Sequence, residues 1–258
     1  QPAQIPGIKE LNLPPVIEKI SESHRGLILV TGTTGCGKST TLAAMIDHIN
    51  ETRAAHIITI EDPIEYLHED KKAIISQREL GLDTFDYPGA LKHIVRQDPD
   101  VILIGEMRDL DTMHAALTAG QTGHLVLSTV HTIDACQTVT RIVDMFPPHQ
   151  QPQVRFQLAD TLRAVIAQRL LPRSSGKGMV PAVEVMVVSG LVKKLIEEDK
   201  LDDIPAAIQQ GDYYGMQTFN QALVKLYNKG EIALEDAKRA ASNPEEFMLY
   251  VRGIHSSS

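Results

Sequence analysis

Cysteine and positive charge are both scarce in this sequence. Its 258 residues include only two cysteines, Cys36 and Cys136, which lie far apart and form no CxxC pair. This spacing favours neither a disulfide framework nor a zinc site, and a reducing, cytoplasmic compartment fits best. The 25 Lys and Arg residues against 33 Asp and Glu leave a net charge of −8. A negative net charge gives no sign of the basic surface that binds a phosphate backbone, so nucleic acid is not an expected partner.

Long apolar runs are missing as well. No stretch approaches the ~18 apolar residues that a membrane-spanning helix requires. Residues 1–15 lack the charged region and apolar core of a secretory signal, so we expect a chain that is neither exported by this route nor embedded in a membrane. Residues 1–24 are punctuated by prolines and predict a linker with a short helix near 14–23. The polar residues 255–258 predict a disordered tail.

From Gly26 onward, short apolar runs alternate with longer helical patterns. The apolar runs are 26–32, 55–62, 100–106 and 124–132, and the helical patterns are 38–51, 87–97 and 110–120. Continuous apolar strands separated by helices are typical of a mainly parallel sheet with helices on both faces. The pattern therefore predicts an α/β core, which we place at residues 25–188.

The sequence pattern changes after Cys136. Apolar residues between 154 and 170 recur at near-helical spacing and predict one buried helical stripe; they are Val154, Leu158, Leu162, Val165, Ile166 and Leu170. Residues 179–188 alternate enough to predict one or two late strands. Residues 217–230 predict a helix that stops at Gly230. We therefore expect a helical C-terminal region at 189–254 to follow the α/β core.

The stretch GTTGCGKST at residues 32–40 satisfies the pattern G-x-x-x-x-G-K-[ST]. It follows an apolar strand and opens a helix, which is the context that a phosphate-binding loop requires. Its glycines let backbone N–H groups turn towards an anion, and the helix N-terminus adds its positive dipole end. The predicted phosphate-binding residues are Gly32, Thr33, Thr34, Gly35, Cys36, Gly37, Lys38, Ser39 and Thr40, with Cys36 contributing mainly its backbone. Lys38 should reach the β- and γ-phosphates, and the Ser39 hydroxyl should bind Mg²⁺.

Polar residues end three of the apolar runs. Because ligands of doubly wound sheets bind outside the carboxyl ends of the strands, these residues are candidates for the site. Glu106 follows one strand as a Mg²⁺-binding acid would, or as an acid that satisfies a helix N-terminus would. His131 ends another strand as a sensor of the γ-phosphate or of the neighbouring acids would. Glu61, Asp62 and Glu65 cluster around Pro63, where one acid would polarise an attacking water and another would support Mg²⁺. The alternatives are solvated turn acids and a structural histidine.

Four segments in this order carry a family resemblance: GTTGCGKST, ITIEDPIEY, RQDPDVILIGEMRD and TGHLVLSTVHT. They resemble the Walker A, Asp-box, Walker B and His-box motifs of the secretion ATPase superfamily. Within it, the chain looks most like PilT-type ATPases of the type IV pilus. The resemblance covers nearly all of residues 5–254 and implies a RecA-like P-loop NTPase core.

The resemblance also implies roles for individual residues. Lys38 and Ser39 would bind the phosphates of ATP and Mg²⁺, and Glu65 matches the glutamate proposed to act on the attacking water. The implied catalytic residues are Glu65, Glu106 and His131, and the implied Mg²⁺-binding residues are Ser39, Glu106, Glu61 and Asp62. Glu106 would act on Mg²⁺ directly or through water.

The resemblance further implies an assembly and a place in the cell. A homo-hexameric ring of ATP-hydrolysing subunits would power pilus retraction by acting on an inner-membrane platform protein. A retraction paralogue is a further partner that the resemblance allows. The ring would be cytoplasmic and peripherally associated with the inner membrane at the pilus base. A PAS-like domain would precede residues 1–24, its trailing linker.

Three functional hypotheses stay open at this point: a retraction motor, a motor for pilus assembly or type II secretion, and an ATP-binding accessory ring component with weak hydrolysis. Two cysteines cannot supply the tetracysteine zinc segment that is usual in assembly-type ATPases, and residues 215–232 resemble the C-terminal region of retraction ATPases. Residues 190–198 differ from the AIRNLIRE segment of PilT-type proteins, because Lys193 and Lys194 lack the planar fork of arginine.

Overall fold

A mainly parallel sheet forms the centre of the structure. The computed structural model describes residues 4–82 and 86–253, and within these ranges the sheet has seven strands. They are β1 (Gly26–Thr31), β2 (His56–Glu61), β3 (Ile74–Glu79), β4 (Val101–Ile104), β5 (Leu125–Val130), β6 (Leu162–Pro172) and β7 (Met179–Val187). Their order is β3-β2-β4-β5-β1-β6-β7, and only β7 runs antiparallel to its neighbour. The predicted α/β class with a mainly parallel sheet is confirmed.

Helices connect and flank the strands. They are α1 (Val16–Ser21), α2 (Lys38–Thr52), α3 (Tyr87–Val95), α4 (Leu110–Gln121), α5 (Ala135–Asp144), α6 (Gln151–Thr161), α7 (Gly190–Glu197), α8 (Ile204–Gln209), α9 (Phe219–Asn228), α10 (Leu234–Ala240) and α11 (Pro244–Val251). Asp86, Asp109 and Asp134 each accept a hydrogen bond from a backbone N–H in the first turn of α3, α4 and α5, respectively. Such N-caps fix where each helix starts relative to the strand before it.

Two apolar layers cover the sheet, one on each face. Successive residues of β1 alternate between them, with Leu27 and Leu29 in the layer beneath α3–α8 and Ile28 and Val30 in the layer beneath α1 and α2. All six residues of β1 are buried, as expected for a parallel strand with helices on both sides. Burial of both faces makes the sheet a rigid platform for the residues that follow its strands.

The predicted helical stripe over residues 154–170 is wrong in its second half. Helix α6 ends at Thr161, and the chain continues directly as β6, which pairs parallel with β1. Val165 and Ile166 are β-branched and buried on opposite faces of the sheet. A run buried on both faces has no alternation, so periodicity alone cannot separate it from a buried helix.

Strand β3 was not predicted at all. Its residues are largely polar and partly exposed, because it lies at the edge of the sheet and pairs only with β2. The tertiary pairing, rather than an apolar pattern, makes this segment a strand. The predicted short helix near 14–23, the late strand and the helix that stops at Gly230 are confirmed as α1, β7 and α9, and Gly230 has φ = +75°.

The C-terminal helices pack against β6 and β7 through a third apolar cluster that includes Phe219 and Phe247. The division of the chain at residues 24 and 188 remains a prediction, and the predicted tail at 255–258 lies outside the described residues. Throughout the described ranges, no helix has the length and apolar character needed to cross a membrane.

Glu184 on β7 joins two helices to the sheet. Its side chain is buried, with the residue 7% exposed. Oε1 accepts a hydrogen bond from the backbone N–H of Ala135 (3.0 Å), and Oε2 accepts one from that of Phe219 (3.2 Å), so the carboxylate faces the N-termini of α5 and α9. Burial nevertheless raises the pKa of Glu184 to about 7, since desolvation outweighs these bonds and the nearby Arg169.

We expect the stability of the folded chain to depend on pH through Glu184. Its pKa rises from 4.5 when unfolded to about 7 when folded, so the folded state binds the proton more tightly. Its contribution to stability is therefore greatest at low pH and is lost as the pH rises through 7. Relative to a Glu184→Gln variant, the wild type should lose about 2 kcal/mol of unfolding free energy between pH 5.5 and 8 in urea titrations.

The matched control is Glu245→Gln on the exposed surface of α11, which should follow the wild-type pH dependence. Equal pH dependence of the Glu184→Gln variant and the wild type would contradict the expectation.

Candidate functional site

A cavity of about 540 Å³ opens at the carboxyl ends of β1, β2, β4 and β5. This volume suits a small-molecule ligand such as a nucleotide. The predicted site residues that line it are Thr34, Gly35, Gly37, Lys38, Ser39, Thr40, Glu61, Asp62, Glu65, Glu106 and His131. The parallel sheet thus brings together residues that are up to 97 positions apart in the sequence.

The loop before α2 presents a cradle for an anion. Gly37 is the N-cap of α2 with φ = +94°, and the helix begins without a side-chain cap. A Cβ placed on Gly35 or Gly37 would meet no atom within 4 Å, so open space borders the backbone there. Because the uncapped N-terminus of a helix carries unsatisfied N–H groups and a positive dipole end, this geometry suits a phosphate.

Three of the predicted loop residues shape the turn without lining the cavity: Gly32, Thr33 and Cys36. A Cβ on Gly32 would collide with Cys36 Sγ and with the carbonyl oxygen of Gln168, so this position requires glycine. The Cys36 N–H donates to the carbonyl oxygen of Thr33 (3.2 Å), and the thiol is buried. Burial raises the pKa of the Cys36 thiol, which favours its protonated form.

The Lys38 ammonium group is held inside the cavity. Its Nζ donates to the carbonyl oxygen of Gly32 (2.6 Å) and lies 3.0 Å from His131 Nδ1. Burial lowers the pKa of Lys38, an effect that nearby Cys36 and Glu106 partly offset. Phosphate oxygens would therefore compete with one backbone carbonyl and one imidazole nitrogen for this cation.

Glu106 and His131 form the centre of a chain of polar contacts. His131 Nε2 lies 2.8 Å from Glu106 Oε1, and Arg108 Nε donates to Glu106 Oε2 (2.7 Å). With Nδ1 facing the Lys38 ammonium, the arrangement assigns an acceptor role to Nδ1 and a donor role to Nε2. The contacts run from Lys38 through His131 and Glu106 to Arg108, whose Nη2 is 4.0 Å from Asp62 Oδ2.

Residues 61–68, here called the acidic segment, form the wall of the cavity next to β3. Glu61 Oε2 accepts hydrogen bonds from Thr59 Oγ1 (2.8 Å) and Gln77 Nε2 (3.1 Å). Burial raises the pKa of Glu61; these two bonds oppose the shift, and repulsion from the nearby carboxylates adds to it. Glu65 is exposed to the cavity and forms no hydrogen bond or ion pair with any of the described residues.

The predicted metal-binding residues share the cavity without forming a closed ligand set. Within residues 4–82 and 86–253, no group of three or more His, Cys, Asp or Glu side chains is arranged to hold a metal ion. The Ser39 hydroxyl and the carboxylates of Glu61, Asp62 and Glu106 nevertheless line the same space. These oxygens fit Mg²⁺, which usually keeps several waters and binds few protein groups when it accompanies a phosphate.

Sequence reasoning missed five residues that form or support the site: Tyr66, His68, Gln77, Tyr87 and Arg108. The hydroxyls of Tyr66 and Thr40 are 3.0 Å apart, which joins the acidic segment to the first turn of α2. Tyr66, His68 and Tyr87 line the cavity, and burial raises the pKa of Tyr87 to about 12. Tyr66 and Arg108 lie inside the quoted motifs and could have been found there. Gln77 gave no signal, because its strand was not predicted.

Comparison with known proteins agrees with this geometry. The family described as "Type II/IV secretion system protein" matches residues 6–233. A twitching motility protein of Neisseria gonorrhoeae is 50% identical over 244 residues, which cover 95% of this chain and 65% of that protein. The type IV pilus retraction ATPase PilT of Pseudomonas aeruginosa is 47% identical over 246 residues, covering 95% of this chain and 71% of the relative. The chain thus spans about two-thirds of the length of these relatives.

A solved structure described as the pilus retraction motor PilT with bound ADP superposes with a TM-score of 0.89 at 51% identity. The match covers 95% of this chain and 69% of that one. The resemblance inferred from the four motifs is therefore confirmed, and the chain belongs to the type II/IV secretion system protein family.

Proposed function

We propose that this chain is the ATP-hydrolysing part of a motor subunit that powers retraction of a type IV pilus. The observation that carries the proposal is the cavity itself, where an uncapped helix N-terminus and Lys38 face Glu65, Glu106 and His131. The ADP bound to the similar retraction motor supports a nucleotide as the ligand. Positive groups and acids that share one cavity suit phosphoryl transfer, in which positioning and charge neutralisation supply most of the catalysis.

The loop and α2 bind the phosphates in this proposal. The backbone N–H groups at the start of α2 receive the phosphate oxygens, and Lys38 turns from the Gly32 carbonyl towards the β- and γ-phosphates. Mg²⁺, when bound, neutralises charge that develops on the phosphate oxygens. Ser39 would hold the ion, with Glu106, Glu61 and Asp62 within its reach directly or through water.

The acids divide the remaining work. Glu65 faces the cavity without a hydrogen-bonding partner among the described residues, so its carboxylate is available to orient the water that attacks the γ-phosphorus. Glu106 lies between His131 and Arg108. We assign His131 the sensing of the γ-phosphate, because its two nitrogens face Lys38 and Glu106.

Retraction is the cellular role that we favour. The names of the similar proteins from Neisseria gonorrhoeae and Pseudomonas aeruginosa refer to twitching motility and to pilus retraction. In this proposal the full-length protein forms a homo-hexameric ring at the cytoplasmic side of the inner membrane and acts on a platform protein at the pilus base. Residues 25–188 would form the ATPase core and residues 189–254 a helical region that follows it.

Replacing Glu65 by Gln should separate ATP binding from ATP hydrolysis. The amide keeps the shape of the side chain but cannot act on the attacking water, so phosphate release at saturating ATP should fall by about 10²–10⁴-fold. The Kd for a fluorescent ATP analogue should stay within a few-fold of the wild type, because Glu65 is outside the phosphate cradle. Full-length protein should be used for both measurements.

Two further variants complete this experiment. Glu106→Gln should also slow phosphate release strongly, and Glu245→Gln on the surface of α11 should have no effect. A wild type no faster than Glu106→Gln would contradict the motor proposal, and a fully active Glu65→Gln would transfer the role of Glu65 to another acid.

Deleting the gene should distinguish retraction from assembly. Cells that lose a retraction motor should remain piliated and stop twitching, whereas cells that lose an assembly motor should have no pili. Electron microscopy of surface pili and a twitching assay measure the two phenotypes, and restoring the wild-type gene is the control. Bald cells would support the assembly alternative.

A further inference from the structure

Both the NH₂ group and the carbonyl oxygen of the Gln77 side chain form hydrogen bonds with the acidic segment. Its Nε2 donates to the carbonyl oxygen of Tyr66 (2.8 Å) and to Glu61 Oε2 (3.1 Å), and its Oε1 accepts from the backbone N–H of His68 (2.9 Å). One side chain on the edge strand β3 therefore binds the beginning and the end of a segment that lies 9 to 16 residues earlier in the sequence.

These bonds surround Glu65. Gln77 fixes the backbone on the C-terminal side of Glu65, at Tyr66 and His68. On the N-terminal side, the backbone N–H of Ile64 donates to Glu79 Oε1 (2.9 Å), another side chain of β3. The backbone that carries Glu65 is thus held on both sides, while the Glu65 carboxylate remains exposed to the cavity.

The pairing of β2 with β3 explains why Gln77 reaches this position. Thr59 and Gln77 are Cα partners in the parallel ladder, and both side chains donate to the same Oε2 of Glu61. Side chains of paired residues in a sheet share one face, so the sheet itself aims Gln77 at the acidic segment. The position therefore depends on rigid strand pairing and not on a flexible loop.

Only an amide meets these contacts. Glutamine supplies two donors for Tyr66 and Glu61 and one acceptor for His68. An ionised glutamate keeps the acceptor, loses both donors and places a second carboxylate beside Glu61. A methionine keeps the approximate volume and loses all three bonds.

From these contacts we infer that Gln77 is a positioning residue for ATP hydrolysis, holding the acidic segment so that Glu65 meets the attacking water. The inference rests on the proposed function. A merely structural Gln77 would stabilise the sheet edge without acting through Glu65, and the two roles differ in their kinetic consequences.

The test compares Gln77→Met and Gln77→Glu with the wild type in full-length protein. We expect kcat for phosphate release to fall about 10- to 100-fold, since displacement of a catalytic group by about 1 Å costs this much. KM and the Kd for a fluorescent ATP analogue should change less than about three-fold, because the phosphate cradle lies at the start of α2. The matched control is Gln157→Glu on α6, a half-buried glutamine whose amide donates to Gln121, and it should behave as wild type.

Two further readouts separate positioning from general stabilisation. In a Glu65→Gln background, Gln77→Met should slow hydrolysis no further, because residues that act through one another are not additive. In Gln77→Glu, the ratio of its kcat to that of the wild type should rise as the pH falls, because a protonated carboxyl regains one donor.

The outcomes also separate this inference from the proposed function. Wild-type kcat in both Gln77 variants, or a full additional loss in the Glu65→Gln background, would overturn the role of Gln77 while the motor proposal stands. Normal activity of Glu65→Gln would overturn the role of Gln77 and transfer that of Glu65 to another acid, whereas no hydrolysis by the wild type would overturn both this inference and the motor proposal. If Gln77→Met does not fold, Gln77→Glu and its pH dependence still decide the question.

Discussion

Parallel pairing of the central strands is the constraint on which the site depends. Because β1, β2, β4 and β5 run in one direction, the residues that follow them all lie at the carboxyl ends of the strands, on the same side of the sheet. The phosphate loop, the acidic segment, Glu106 and His131 each follow one of these strands. Reversing any one strand would place the polar residues that follow it at the other end of the strands, away from the cavity. The set of groups in the cavity therefore follows from the topology.

Charge compensation then decides how these groups are arranged in the cavity. Lys38 is held by a carbonyl and an imidazole, and Glu106 by an imidazole and a guanidinium. The charges of Lys38 and Glu106 therefore each have partners of suitable polarity, which limits the free-energy cost of desolvating them. In the proposed function, a triphosphate would bring several negative charges close to Lys38 and Glu106 and would compete for the contacts that hold these two side chains.

Much of the fold could be predicted from the sequence, because its signals were local. Continuous apolar runs identified four parallel strands, and the spacing in GTTGCGKST located the loop before α2. Prediction failed where tertiary contacts decide the structure. The polar β3 becomes a strand only by pairing with β2, and the apolar β6 has no alternation that distinguishes it from a helix. Gln77 was missed for the same reason, since its partners are up to 16 positions away.

Gly32 shows how closely the shape of the loop and its charge are connected. The residue has no room for a Cβ, and its carbonyl oxygen also accepts the hydrogen bond from Lys38. A larger residue at this position would displace the backbone and with it the resting place of the ammonium group. The steric fit of the loop and the position of the Lys38 ammonium group therefore cannot be changed separately. A substitution at Gly32 that moved the ammonium group would also displace Cys36 and the strand that carries Gln168.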